Sequence, residues 1–134
     1  MCIRDRFTTA LPPALIAAAR IALQLIKKNN KARLIIKQKA NNLRTLLHNA
    51  HLPYKDSQSH IIAVMVRNAN LAQQLGQLLL ERYHIYVQPI NYPTVPKGQE
   101  RLRLTPTPQH TTKMNHKLVA ALVTLWKELG LKFN

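Results

Sequence analysis

A small α/β sandwich, a short and mostly antiparallel sheet covered by helices, is the fold class this 134-residue sequence predicts. Three observations carry it. Apolar residues recur at three- and four-residue steps in several separate stretches, the spacing of a helix face. Branched or alternating runs, His60–Val66, Ile85–Val87 and Arg101–Thr105, fall between those stretches and have the character of strands. The resulting order is helix, helix, strand, helix, strand, strand, helix, which puts a short sheet against a helical layer. The length suits one domain with a core of useful size, and 46% hydrophobic residues exclude a disordered chain.

Met1–Arg6 carries no readable pattern and is expected to be an unassigned or non-native leader, with residues 7–134 forming the domain. Arg4, Arg6 and the apolar Ala10–Ala19 run imitate a secretory signal. Pro12–Pro13 instead suits the first turn of a helix, whose pattern continues through Arg20 to Ile26. Arg20 and Gln24 also interrupt the best candidate for a membrane span, so no membrane partner is expected. Ala14–Ile26 is apolar on most sides, which predicts a helix largely buried or lying at a subunit contact. Lys27–Lys31 marks a break. From Ala32 onward, Ile35, Ile36, Ala40, Leu43, Leu46, Leu47 and Ala50 form one helix face, ended by Pro53.

Lys55–Ser59 is a polar loop before the buried strand His60–Val66. Asn68 and Asn70 are candidate caps for a helix with Leu71, Leu75, Leu78 and Leu79 on its inner face. The last helix starts at Thr111 or Thr112, buries Leu118, Ala121, Leu122, Leu125 and Leu129, and stops at Gly130.

The chemistry concentrates between Ile85 and Pro108. A strand leads into a loop held by Pro89, Pro93 and Pro96 and freed at Gly98; a second strand, Arg101–Thr105, ends at Pro106 and Pro108. Such a loop between strands usually does more than connect them. Arg101 and Arg103 share one strand face, where either guanidinium suits a carboxylate or phosphate. No Ser–His–Asp set, paired carboxylates or glycine-rich phosphate loop can be assembled, and no catalytic residue is assigned. The lone Cys2 forms no internal disulfide, and no cysteine–histidine spacing suits a metal.

The run NYPTVPKGQERLRLTPTPQHT (Asn91–Thr111), preceded by YVQPI, resembles the C-terminal signature of the 5-aminolevulinate synthase family. These are α-oxoamine synthases of the fold-type-I, pyridoxal-phosphate group. FTTALPPA (Phe7–Ala14) is similar to the family segment that follows the cofactor lysine. The resemblance runs from about Phe7 to Lys127. It implies a homodimeric acyltransferase that condenses glycine with succinyl-CoA to 5-aminolevulinate, CoA and carbon dioxide, a step toward haem and other tetrapyrroles. Localisation would be cytoplasmic in a bacterium or the mitochondrial matrix in a eukaryote.

By the same resemblance Arg103 binds the carboxylate of glycine, and Arg101 is structural. Thr8 and Thr9 match a hydroxyl pair of which one, Thr8 by preference, reaches the cofactor phosphate of the neighbouring subunit. Tyr92, Pro93, Thr94, Val95, Pro96, Lys97 and Gly98 form a mobile lid. Lys97 stands where relatives often carry arginine, which keeps the charge and loses the planar fork. The cofactor lysine, its acidic partner and the aromatic over its ring lie upstream of FTT in relatives. The sequence therefore implies a C-terminal small domain without its large domain, inactive alone.

Two other classes stay open. A sister α-oxoamine synthase would use a different acyl-CoA, against which Pro106 and Pro108 argue. A small nucleic-acid-binding module draws on 20 Lys and Arg against 5 Asp and Glu, net +15, and on the row Lys31, Arg33, Lys37, Lys39 and Arg44. It lacks interleaved aromatics, so that row is expected to be a solvated surface and nucleic acid is not expected as a partner.

Overall fold

The computed structural model of the chain describes residues 11–133. They fall into two compact units, divided between Leu34 and Ile35. The first contains α1 (Pro13–Lys28) and the start of α2 (Asn30–Asn49). Pro13 occupies the opening turn, as expected of a residue without an N–H to satisfy. The Lys27–Lys31 break falls at Asn29, whose side-chain oxygen accepts the Ala32 N–H at 3.1 Å, and Arg33 donates to the Ile26 carbonyl at 2.6 Å.

Of the two readings of the first helix, burial within the chain is not met among the described residues, which leaves the subunit contact. No residue of α1 is buried, and Leu15, Ile16, Ile21, Leu23, Leu25 and Ile26 are each more than half exposed. An apolar surface creates a demand for cover without specifying its source.

The second unit, residues 35–133, is an α/β layer structure. Strands β1 (Tyr54–Lys55), β2 (Ile62–Met65), β3 (Gln88–Ile90) and β4 (Arg101–Leu104) form one sheet in the order β1-β2-β4-β3, every pair antiparallel. Ile62, Val64, Leu102 and Leu104 face one side. There they join Leu43 and Leu47 of α2, Leu75 and Leu79 of α3 (Ala69–Tyr83), and Leu122, Leu125 and Trp126 of α4 (Thr112–Glu128) in a single core. Ala63, Met65, Arg101 and Arg103 alternate onto the opposite face.

Three strand expectations need correction. The run Ile85–Val87 is not a strand; pairing begins at Gln88 and includes Pro89. Proline is tolerated there because β3 is an edge, where a missing ladder N–H costs least. Tyr54–Lys55, the latter assigned to loop from its polarity, pairs with Val64 and Ala63. The strand expected over His60–Val66 shortens to Ile62–Met65.

Helix ends follow their local chemistry. Asn68 caps α3 by accepting the Leu71 N–H at 3.1 Å, while Asn70 lies inside the first turn. Thr111 caps α4 by accepting the Met114 N–H at 3.2 Å. Gly130, at φ +63°, closes α4: its own N–H reaches the Lys127 carbonyl, and that of Leu131 reaches Trp126 at 3.0 Å. The same double closure ends α2 at His51 and α3 at His84, both with left-handed backbones. Sequence reasoning gave neither histidine this role.

Candidate active-site face

The β3–β4 pair and the start of α4 enclose an open cleft of about 730 Å³. Its floor is apolar, from Leu43, Ile85, Val87, Leu104 and Leu118. Its charged or titratable lining is Arg103, Lys117, His84, His110 and Tyr86, with no carboxylate. A cleft with that lining suits an anion.

These groups differ in how free they are. Lys117 donates to the Tyr83 carbonyl at 2.9 Å, so its ammonium is used to close the end of α3. His110 accepts the Thr107 N–H on Nδ1 at 3.2 Å. Arg103 is exposed, and among the described residues its guanidinium makes no hydrogen bond or ion pair. Its backbone is fixed on both sides, opposite Ala63 of β2 and Gln88 of β3. A strand paired on both sides thus presents a fork whose donors are unused among the described residues.

Arg101 is two residues away on the same face and is already engaged. Its Nε donates to the Gln99 carbonyl at 2.8 Å and its Nη2 to the Gln99 side-chain oxygen at 3.1 Å. The structural role expected for Arg101 and the binding role expected for Arg103 therefore have distinct geometries.

Tyr92–Gly98 forms a run of tight turns with Tyr92, Pro93, Thr94, Pro96, Lys97 and Gly98 exposed and Val95 half-buried. Asn91 carries the first turn on its carbonyl, which accepts from Thr94 at 3.0 Å, and the Tyr92–Pro93 peptide bond is cis. The Lys97 ammonium stands 5.6 Å from the centre of the Tyr92 ring. Thr8 and Thr9 lie outside the described residues. Pro106 is buried on the cleft wall, and Pro108 is exposed.

In the basic row, Arg44 is not a free surface charge. It donates to Asn41 at 3.0 Å and to the Ser59 carbonyl. Lys31, Arg33 and Lys37 are exposed. Among the described residues no group of His, Cys, Asp and Glu could hold a metal ion, and no helix is long and apolar enough to cross a membrane.

Lys117, His84 and His110 were not expected in the site from the sequence. His84 comes in with the left-handed end of α3, and Lys117 and His110 with the start of α4; neither arrangement has a spacing signature. Glu100 was missed as well. It is 4% exposed, although an acidic residue two positions after a glycine reads as solvated loop.

These features have counterparts in known proteins. Residues 2–122 match the family of aminotransferases of class I and II. The chain belongs to that family. It is 48% identical over 124 residues to 5-aminolevulinate synthase 2 of Cereibacter sphaeroides, covering 92% of this chain and 30% of that protein. It is 46% identical over 126 residues to the mitochondrial 5-aminolevulinate synthase of Neurospora crassa, covering 94% of this chain and 20% of that protein. Its fold superposes on 8-amino-7-oxononanoate synthase from Francisella tularensis with a TM-score of 0.77 at 28% identity, over 93% of this chain and 36% of that one. The chain thus spans less than a third of the length of these curated relatives.

Proposed function

We propose that residues 7–134 are the small domain of a 5-aminolevulinate synthase and carry the amino-acid side of its site. In this reading the whole enzyme is a pyridoxal-phosphate-dependent acyltransferase joining glycine to succinyl-CoA, with release of carbon dioxide and CoA. The Arg103 fork, unpaired among the described residues, on a strand paired on both sides and bordering a cleft lined without carboxylates, is the observation that carries the reading. Identity favours this synthase over a sister enzyme, at 48% and 46% against 28%.

Arg103 binds the glycine carboxylate by two parallel hydrogen bonds, fixing direction as well as position. Direction matters because it decides which bond at the α-carbon meets the cofactor. Pyridoxal phosphate, when bound, supplies an electron sink for that carbon. The described residues do not fit the whole cofactor: the cleft has no carboxylate for its ring nitrogen, and the Lys117 ammonium on its wall is already bonded. The large domain would hold the cofactor's ring and bonding lysine, and Thr8 or Thr9 would reach the phosphate across a homodimer. Tyr92–Gly98 closes over the substrates and opens to release product.

A chimera tests this. Residues 7–134 replace the matching segment of the Cereibacter sphaeroides enzyme, and 5-aminolevulinate is measured against glycine. An active chimera is expected. Arg103→Lys in it keeps the charge and loses the fork, at a cost of roughly 1.5–3 kcal/mol, or about tenfold to a hundredfold in apparent glycine affinity. Succinyl-CoA dependence should change much less, and Arg101→Lys should leave the glycine dependence nearly intact. A folded chimera that ignores glycine, or in which only Arg101→Lys matters, overturns the assignment. The 134-residue chain alone should retain no pyridoxal phosphate after desalting.

A further inference from the structure

The mostly exposed Tyr92–Gly98 segment stands on two feet, one with a buried polar atom that has no partner and the other with a buried carboxylate. At the first, Asn91 donates its side-chain amide to the Ala69 carbonyl at 3.2 Å, while its Oδ1 is buried with no partner. At the second, Glu100 is 4% exposed and accepts the Gly98 N–H on Oε2 at 2.9 Å. The Glu100 carbonyl accepts the Val66 and Arg67 N–H groups at 3.0 and 2.9 Å. Its backbone is therefore fixed to the end of β2 while its side chain reaches back into the loop.

No cation forms an ion pair with Glu100 among the described residues. Withdrawing a carboxylate from water without a cationic partner is costly, and a residue serving only to fill space would be apolar. A charged acceptor, however, holds a single backbone N–H about twice as strongly as a neutral one. The N–H it holds belongs to Gly98, whose φ of +83° is accessible to glycine and strained for other residues. Nothing lies within 4 Å of where its Cβ would stand, so backbone freedom rather than space requires glycine there.

We propose that Glu100 is the latch of this loop. Its carboxylate holds Gly98 in the position seen; release lets residues 92–98 swing about Gly98, with Asn91 Oδ1 available to accept a loop N–H in the second position. Glu100 is thus a positioning residue that acts on substrates only through the loop. The consequence for substrates rests on the lid assignment under the proposed function; the latch itself does not.

Hydrogen exchange of the Gly98 amide in the 134-residue chain tests the latch. Glu100→Ala is expected to accelerate it at least tenfold, with the Ile62 and Leu102 amides of the sheet unchanged. Glu100→Gln keeps the shape and an acceptor oxygen, and should give a smaller rise of about threefold. An unchanged Gly98 rate in Glu100→Ala overturns the latch, as does an equal rise throughout β2 and β4, which would make Glu100 a sheet support. If Glu100→Ala does not fold, Glu100→Gln decides, and an unchanged rate there is fatal. In the active chimera, Glu100→Ala should change kcat while leaving the glycine KM near its starting value, the reverse of Arg103→Lys. Faster exchange with no change in kcat leaves the latch standing and removes the lid from the proposed function.

Discussion

Helices α1 and α4 are nearly equal in length, 16 and 17 residues, and both are rich in alanine, leucine and isoleucine or valine. Yet α4 buries Asn115, Val119, Ala121, Leu122, Leu125 and Trp126, and α1 buries nothing. The difference lies in pattern rather than in apolar content. In α4, Lys113, His116, Thr124, Lys127 and Glu128 occupy the outer side, so a stripe is left to face the core. In α1 only Arg20, Gln24, Lys27 and Lys28 break an apolar surface that goes most of the way round. A stripe names the face that must be covered. An all-round apolar helix states only that cover is needed, which agrees with the subunit contact expected as one reading of this helix.

Truncation should separate the two helices most widely. Trp126→Ala removes a side chain 1% exposed and should cost about 3–5 kcal/mol, read from the urea midpoint. Leu23→Ala, at 59% exposure, should stay within about 0.5 kcal/mol. Comparable losses would mean that α1 is covered in solution by another copy of the chain. Dye binding sharpens the same point: Leu15→Gln with Leu23→Gln should lower the binding of a hydrophobic dye without moving the urea midpoint.

The next effect is smaller. Thr111 caps α4 through its hydroxyl, whereas Pro12 caps α1 with no side-chain bond. Thr111→Ala should therefore destabilise by about 1 kcal/mol, and Pro12→Ala should register far less in the same measurement. Smallest of all is the Arg82–Glu128 pair at 2.8 Å, the one ion pair among the described residues. With side chains 53% and 44% exposed it is well screened, and Glu128→Gln should cost no more than about 0.5 kcal/mol, fading further at high salt.

The parts of the fold legible in the sequence were those decided locally. The helix starts narrowed to Asn68 or Asn70 and to Thr111 or Thr112, and the stop at Gly130, depend on neighbours within a few residues; the structure caps at Asn68 and Thr111 and stops at Gly130. The errors concern elements decided at a distance. Tyr54–Lys55 is a strand only because β2 lies beside it, and two residues have no periodicity to read. Ile85–Val87 has stronger strand character than Gln88–Ile90, but the α3 terminus extends to Ile85, and the register of β4 places Arg103 opposite Gln88. The role proposed for Arg103 comes from resemblance; alternation alone leaves it level with Arg101. What separates the two is the Gln99 clamp on Arg101, a contact that no spacing rule announces. The burial of Glu100 was hidden for the same reason.

The alternation in β4 also bears on how such a site can change over evolutionary time. Leu102 and Leu104 fit the core at 0% and 4% exposure, and Arg101 and Arg103 point the other way. Point substitutions at 101 or 103 can alter the charge and hydrogen-bond donors of the outer face while leaving the packing beneath it untouched. An insertion or deletion of one residue cannot, since it would drive a guanidinium into the hydrocarbon interior and turn a leucine out to water. The chemistry at this strand is therefore open to gradual revision by replacement, and closed to revision by changes in length.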